Sequence, residues 1–263
     1  MLIIKIGGGA AINIKGIVAD LAELDEQFLV VHGANAVRDQ LGENLGKPKK
    51  VLTSVSGYSS VFSDETAIDL LMMAYAGLKN KKIVEICQQH GINAVGLSGL
   101  DGKVVQGRRN RGIRVQENGK VRIVRDFSGK PKTVNKALLV LLLENGYVPV
   151  LAIPIIDENN FAINSENDDI AAALQQTFQA ERVIQLIEAP GFLADKGDPD
   201  SLLKEMSRDE LIEWEKQVAG RMKRKLLSLK KLFENGVSEV LIADGRTEHP
   251  IKDALNGKGT SIK

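Results

Sequence analysis

The sequence predicts an α/β fold, a three-layer αβα sandwich whose central sheet is mainly parallel, with one antiparallel hairpin excursion. Three observations lead there. Short apolar runs recur at Leu2–Ile6, Phe28–His32, Ala94–Ser98, Val148–Ile153, Val183–Ile187 and Glu239–Ala243. Helical patterns lie between most of them, as in βαβ units whose strands are covered on both faces. The stretch Lys103–Lys136 breaks this alternation: it has no long helix, and Asn118-Gly119 between Ile113–Gln116 and Val121–Val124 is a strong hairpin signal.

The first strand sets the theme. Leu2, Ile3, Ile4 and Ile6 make the apolar run, and Gly7, Gly8 and Gly9 stop it before a helix that starts at about Ala11. A buried strand, a glycine turn and a helix form a phosphate-type loop, because N–H groups without a neighbouring Cβ can approach an anion closely. The pattern is neither the P-loop nor G-x-G-x-x-G, since no Gly-Lys-Ser/Thr follows and Ile12 stands at the third glycine position. Lys5 interrupts the apolar run. It either reaches an anionic partner, since a buried unpaired ammonium is very costly, or snorkels to solvent.

A second strand ends in a similar turn, Val31-His32-Gly33-Ala34-Asn35. Ligands of open α/β sheets bind at the carboxyl ends of strands, so the two turns can face one ligand. His32 itself reads as a satisfied structural histidine. Cys87, on the apolar face of a helical stretch, reads as a small core residue, and a single cysteine excludes an internal disulfide. Gly91, Gly146 and Gly236 read as helix ends, and Ser207 with Glu210 fits a capping box.

The hairpin region is unusual in charge. It holds eleven basic residues, Arg108, Arg109, Arg111 and Arg114 among them, against Glu117 and Asp126. That is a local +9 in a chain of net charge +1, so the rest carries −8. A concentrated positive hairpin in an otherwise acidic protein fits an acidic partner better than a solvated face. Phe127 is its only aromatic residue, so base stacking has little support and no nucleic-acid partner is expected.

Two later stretches complete the chemistry. Asn164-Ser165-Glu166-Asn167-Asp168-Asp169 precedes a helical run and holds more polar groups than capping needs, so a carboxylate there can hold a lysine or an ion. Gly220-Arg221-Met222-Lys223-Arg224-Lys225 opens a long helix with four bases, which suits either a solvated face or a bound anion. Pro190–Leu202 reads as a loop. Two lysine sites, two glycine turns and a polar acidic cluster, without a nucleophile–base pair, point to phosphoryl transfer by positioning and charge neutralisation.

Composition bounds the rest. The chain has 263 residues, 43% apolar and 26% charged, ordinary values for a soluble globular protein with a sizeable core. A boundary near Ile153–Asp157 separates an amino-acid- or carrier-substrate part, 1–155, from a nucleotide-binding part, 156–263. No apolar run reaches membrane-spanning length and the first residues read as a strand rather than a signal peptide, so a cytoplasmic protein without membrane contact is expected. Three histidines and one cysteine offer no metal cluster, so no metal site of protein side chains is expected and a divalent ion would come with a phosphate ligand.

Taken together, six motifs resemble the amino acid kinase family, most of all its N-acetylglutamate kinase group. They are Lys5-Ile6-Gly7-Gly8, Val31-His32-Gly33, Val95-Gly96-Leu97-Ser98-Gly99 with Asp101, Asn164 through Asp168, Gly220-x-Met222-x-x-Lys225 and Ala243-Asp244-Gly245-Arg246. They stand in family order over essentially the full length. Within the group, Gly107-Arg108-Arg109-x-x-x-Ile113-Arg114-Val115 and Thr53-Ser54-x-Ser56-Gly57-Tyr58 resemble kinases whose substrate, α-aminoadipate or glutamate, is carried by LysW, a small acidic amino-group carrier protein.

The resemblance implies ATP with Mg²⁺, transfer to a side-chain carboxylate in lysine or arginine biosynthesis, and a homodimer. The alternative is an N-acetylglutamate kinase using the free acetylated amino acid, and a non-catalytic sensing member is a third reading. By the same resemblance Lys5 and Lys225 stabilise the transferring phosphoryl group, and Asp168 orients both. Asn164, Val61, Gly33, Ala34 and Asn35 belong to the substrate site, Gly7 and Gly8 to the phosphate site, and Arg108, Arg109, Arg111 and Arg114 to the carrier contact. Three departures stand out. Ala34 and Asn35 replace glycines. Val61, in Val61-Phe62-Ser63-Asp64, replaces the arginine expected for the substrate α-carboxylate, which leaves that role to an arginine of 108–114 or implies a different substrate. Gln185-Leu186-Ile187-Glu188 lacks the usual Thr-Asp or Thr-Asn.

Overall fold

Strand alternation explains the layers of this computed structural model, which describes residues 1–57, 59–117, 120–195, 197–218 and 220–263. In chain order the strands are β1 (Leu2–Ile6), β2 (Phe28–His32), β3 (Val51–Thr53), β4 (Ser59–Val61), β5 (Ala94–Ser98), β6 (Val105–Arg109), β7 (Ile113–Glu117) and β8 (Lys120–Val124). There follow β9 (Gly129–Val134), β10 (Val148–Ala152), β11 (Ile155–Ile156), β12 (Ala162–Ile163), β13 (Arg182–Ile187), β14 (Glu205–Met206), β15 (Glu239–Asp244) and β16 (Thr260–Ile262). The helices are α1 (Ile14–Leu21), α2 (Asn35–Asn44), α3 (Glu65–Leu71), α4 (Asn80–Gln89), α5 (Lys136–Glu144), α6 (Asn167–Phe178), α7 (Arg208–Gln217), α8 (Gly220–Glu234) and α9 (Pro250–Leu255). A π-helical segment, Met72–Lys79, joins α3 to α4.

Among the described residues the main sheet has eight strands, ordered β14-β16-β15-β13-β1-β2-β10-β5. The run from β15 to β5 is parallel, β16 is antiparallel to β15, and β14 runs with β16. Strand β1 lies in the middle, between the strands from the first part of the chain and those from the last. Its side chains alternate between the two faces of the sheet. Leu2, Ile4 and Ile6 join Ile17 and Val18 of α1, Ile83 and Cys87 of α4 and Ile251 of α9 in one core. Ile3 joins Leu71 of α3, Leu139 of α5, Ile170 and Leu174 of α6 and Leu226 and Leu229 of α8 in the other. Helices therefore cover both faces, and Lys5 falls on the face covered by α6 and α8.

The element ends follow local chemistry. Helix α1 starts at Ile14 rather than near Ala11, because the Asn13 side chain caps it by accepting from Gly16 N–H at 3.0 Å. Ser207 and Glu210 form the expected capping box at α7. Gly91, Gly146 and Gly236 follow α4, α5 and α8 with positive φ. Residues 190–202 form a loop with a short turn at Pro199–Ser201.

The excursion is antiparallel as the pattern requires. Strands β7 and β8 pair from Ile113↔Val124 to Glu117↔Lys120, and the Asn118-Gly119 tip lies outside the described residues, as does Tyr58. A smaller sheet, β12-β11-β6-β9, forms its base. Val55 N–H donates to the Arg114 carbonyl at 2.8 Å, which ties the loop after β3 to the hairpin.

Candidate active site

The site forms where β1 and β2 end side by side. Gly7 N–H is engaged with the Leu186 carbonyl at 2.8 Å, so it extends the ladder to β13. Gly8 turns away. A Cβ on Gly8 would come within 2.7 Å of Asn35 N and 2.8 Å of Ala34 N, and one on Gly33 within 2.8 Å of Gly8 N. The two turns are thus packed back to back, closer than any side chain allows. The Gly8 carbonyl accepts from Ala36 N–H at 2.9 Å, while the Gly8 N–H has no acceptor among the described residues. Helix α2 starts at this point with no side-chain cap, so apart from Ala36 N–H its first-turn donors are left to other partners.

The replaced glycines cost the turn nothing. Ala34 has φ −146, which any residue adopts, and its methyl group is fully buried in the core. The Asn35 side chain accepts a hydrogen bond from the Tyr75 hydroxyl. Burial, the largest influence, pushes the Tyr75 phenol up to about 12, so it remains a donor.

One carboxylate pairs with Lys5 and lies within the charge influence of Lys225. Lys5 Nζ lies 2.9 Å from Asp168 Oδ1, in the first turn of α6. Burial alone would raise the Asp168 carboxyl, but the charges of Lys5 and Lys225 outweigh it and hold the group below the usual carboxylate range. Lys225, on α8, is driven the other way: burial first, then repulsion from Lys5, push it down to about 8 despite the attraction of Asp168. The pair is therefore short of negative charge, and an incoming anion relieves both lysines.

Lys5, Gly8, Gly33, Asn35, Val61, Asn164, Asp168 and Lys225 all line one cavity of about 230 Å³. Gly7 and Ala34 stand behind that wall. Asn164 donates to the Ser63 hydroxyl at 2.9 Å, which fixes its amide. In the same wall Ser165 Oγ and Asn167 Oδ1 are buried without a partner among the described residues, groups that a polar ligand would satisfy.

A second cavity, of about 510 Å³, opens beside the first. Ser54 and Val55 line one side, Asn110, Ile113 and Arg114 the other, and Ser60, Val61, Asn164, Glu166 and Asp168 line both cavities. The four hairpin-region arginines differ in placement. Arg114 lines this second cavity, and Arg108 and Arg111 are exposed. Arg109 is engaged within the fold: its Nε donates to the Asp126 carbonyl at 2.9 Å and its guanidinium stacks 3.9 Å from the Phe127 ring centre. The buried Asp126 carboxylate accepts from Ser63 N–H and the Ser128 hydroxyl, so the hairpin base and the Ser63–Asn164 contact share one network.

His32 is fully buried, with Nδ1 3.3 Å from the Gly33 carbonyl and Nε2 accepting from Asn80 Nδ2 at 3.1 Å. Burial pushes its pKa down to about 4, so it is a neutral structural group. Three contributors were not read from sequence: Arg38, Tyr75 and Glu188. Arg38 is a lone base in a polar helix, and Tyr75 belongs to an apolar stretch whose π-helical register the sequence does not reveal. Glu188 accepts from Ala11 N–H at 2.6 Å and lies against Gly9, where a Cβ would come within 1.9 Å of its carboxylate. Its position next to the missing Thr-Asp was the available signal.

The model of the amino acid kinase family matches residues 1–244. This chain belongs to the amino acid kinase family. A Thermus thermophilus protein named [LysW]-aminoadipate kinase is 41% identical over the whole of both chains. A Deinococcus radiodurans protein of the same name is 39% identical over all of this chain and 91% of its own. A Methanopyrus kandleri protein named acetylglutamate kinase is 30% identical over the whole of both. Among solved structures, an isopentenyl phosphate kinase superposes with TM-score 0.67 at 20% identity over all of both chains, and a Giardia carbamate kinase with TM-score 0.68 at 15% identity over 99% and 97%. These two share the fold, a large and mainly parallel sheet within a mixed α/β architecture.

Proposed function

We propose that this chain transfers the γ-phosphoryl group of ATP to the side-chain carboxylate of α-aminoadipate, or of glutamate, carried by a small acidic LysW-like protein in lysine or arginine biosynthesis. The observation that carries the reading is the wall that the two cavities share at Val61, Asn164 and Asp168. A substrate tethered to a carrier on the basic hairpin can extend past Val61 and Asn164 to Lys5 and Lys225. The names of the Thermus and Deinococcus relatives support it.

The chemistry needs no general base, because a carboxylate is already ionised at neutral pH. The barrier is the approach of two anions. Lys5, Lys225, the Gly8 N–H and the start of α2 neutralise charge as it shifts between them, and Asp168 keeps the lysines in register. Asn164 and the unpartnered Ser165 and Asn167 groups orient the polar backbone of the substrate. Mg²⁺ accompanies the nucleotide and screens its phosphates. Asp168 is engaged by Lys5 and feels the charge of Lys225, so the phosphate oxygens are the ligands suited to that ion.

In this reading residues 1–155, with β1, β2, β5 and β10, bind the amino acid and carrier, and residues 156–263, with β13 to β16, bind the nucleotide while their stretch 164–167 reaches the substrate. The protein acts in the cytoplasm as a homodimer. Met73 and Leu78, exposed on the π-helical segment, offer an apolar surface that a second copy would cover.

The second reading, a kinase for free N-acetylglutamate, is favoured by the Methanopyrus relative. ADP release with carrier-linked aminoadipate, carrier-linked glutamate and free N-acetylglutamate separates them. Turnover of the free compound that the carrier does not improve would overturn the carrier reading, and no turnover with any of the three would favour a sensing protein.

A further inference from the structure

The reaction cavity contains a third cation that the chemistry above does not use. Arg38 lies one turn into α2, three residues after Asn35, and both line the cavity with Lys5 and Lys225. It is only 7% exposed. Its Nε and Nη2 both donate to Asp39 Oδ1, at 2.8 and 2.5 Å, and Lys49 occupies Asp39 Oδ2. Two of the five guanidinium N–H groups are thereby used and three remain. Arg38 and Lys49 against Asp39 carry one net positive charge, and of the three only Arg38 lines this cavity; it also lines a neighbouring one with Lys49.

The proposed substrate is a dicarboxylate, and this inference rests on that reading. One carboxylate receives the phosphoryl group between Lys5 and Lys225. The other, the α-carboxylate, enters the same cavity and needs a charge partner, because burying it alone is costly. Glu166 and Asp168 repel it. Val61 offers only an apolar surface. Arg114 lines the neighbouring cavity and not this one, and Arg109 is engaged with Asp126 and Phe127. We propose that Arg38 binds the substrate α-carboxylate, with Asp39 as the positioning residue that holds its guanidinium toward the cavity. A planar fork with free N–H groups suits a carboxylate better than an ammonium does.

The test pairs a change in the protein with a change in the ligand. Carrier-linked aminoadipate is compared with the same conjugate bearing an α-carboxamide, in the wild type and in Arg38→Gln and Arg38→Lys. In the wild type the amide should lower kcat/KM about 100-fold, mostly through KM. Arg38→Gln should lose about as much on the carboxylate substrate and almost nothing more on the amide. Arg38→Lys should recover part of the loss. Equal turnover of both substrates by the wild type, or losses that multiply in Arg38→Gln, would overturn the assignment. The same pair built on free N-acetylglutamate tests Arg38 independently of the carrier, so failure of the carrier reading is told apart from failure of this one. The amide arm in the wild type needs no variant to fold.

Discussion

The reaction site and the basic hairpin both concentrate positive charge, but they do so in opposite surroundings. At the site, Lys5 projects from the central strand onto Asp168, Lys225 of α8 feels the charge of both, and burial has already shifted Lys225 down to about 8. On the hairpin, Arg108, Arg111 and Arg114 are exposed beside the equally exposed Val121 and Ile123. Buried charge is weakly screened and expensive, so it is useful where a single reacting group must be stabilised. Exposed charge is cheap and screened by salt, so it is useful for collecting and orienting an acidic partner. The network through Asp126, Ser63 and Asn164 is where the two regions meet.

The largest effect that separates them is expected at Lys225. Lys225→Met should lower kcat about 10²–10³-fold on any substrate, while single-turnover analysis still finds nucleotide bound. The same change should stabilise the ligand-free protein. The folded-state pKa of Lys225, about 8, lies below the ordinary value of 10.5, so between these pH values the folded state binds fewer protons than the unfolded state. Stability therefore rises with pH across that window, and the penalty is complete below pH 8. Denaturant melts should show Lys225→Met more stable by roughly 1–3 kcal/mol at pH 7 and no more stable near pH 10.5. Undiminished turnover would remove Lys225 from the mechanism.

Next in size is the hairpin. Neutralising Arg108, Arg111 and Arg114 together should lower kcat/KM for the carrier-linked substrate about 10–100-fold at low salt, with little change on a free amino-acid substrate. The gap should narrow as salt is added. Arg109→Gln should behave differently, losing stability by about 1 kcal/mol with little salt dependence, because its charge is stacked on Phe127. A uniform, salt-independent loss across all four arginines would erase the distinction between the regions.

A smaller effect concerns pH. The free enzyme should lose kcat/KM above about pH 8, up to tenfold per unit, as Lys225 gives up its proton. Asp168→Asn removes the charge that favours the protonated lysine, so the alkaline limb should move to lower pH. A limb that stays in place in Asp168→Asn would show that the two groups are not coupled.

How much of this was legible in the sequence follows from the kind of interaction involved. The short apolar run Leu2–Ile6 and the glycines after it marked the central strand and the turn, because both depend on local sequence. Asp168 stood out as an acid in excess of capping. The net charge of the hairpin was visible because charges add without coordinates. The start of α1 was misplaced because Asn13 caps across only three residues, a choice that competing caps obscure. Arg38 was hidden because its burial depends on how the Gly8 and Gly33 turns seat α2. Arg109 was grouped with its neighbours because its stack on Phe127 joins residues eighteen apart. Glu188 was seen as an absent motif, whereas its carboxylate closes the first glycine turn from 177 residues further along the chain.

The central claim is that a buried phosphoryl-transfer site is served by an exposed surface for an acidic carrier. A side-by-side measurement of kcat/KM for carrier-linked aminoadipate and free N-acetylglutamate, at low and high salt, tests it most directly. The account predicts a strong preference for the carrier-linked substrate that declines as salt rises, with the free compound little affected. Equal or better turnover of free N-acetylglutamate, unchanged by carrier or salt, would contradict it.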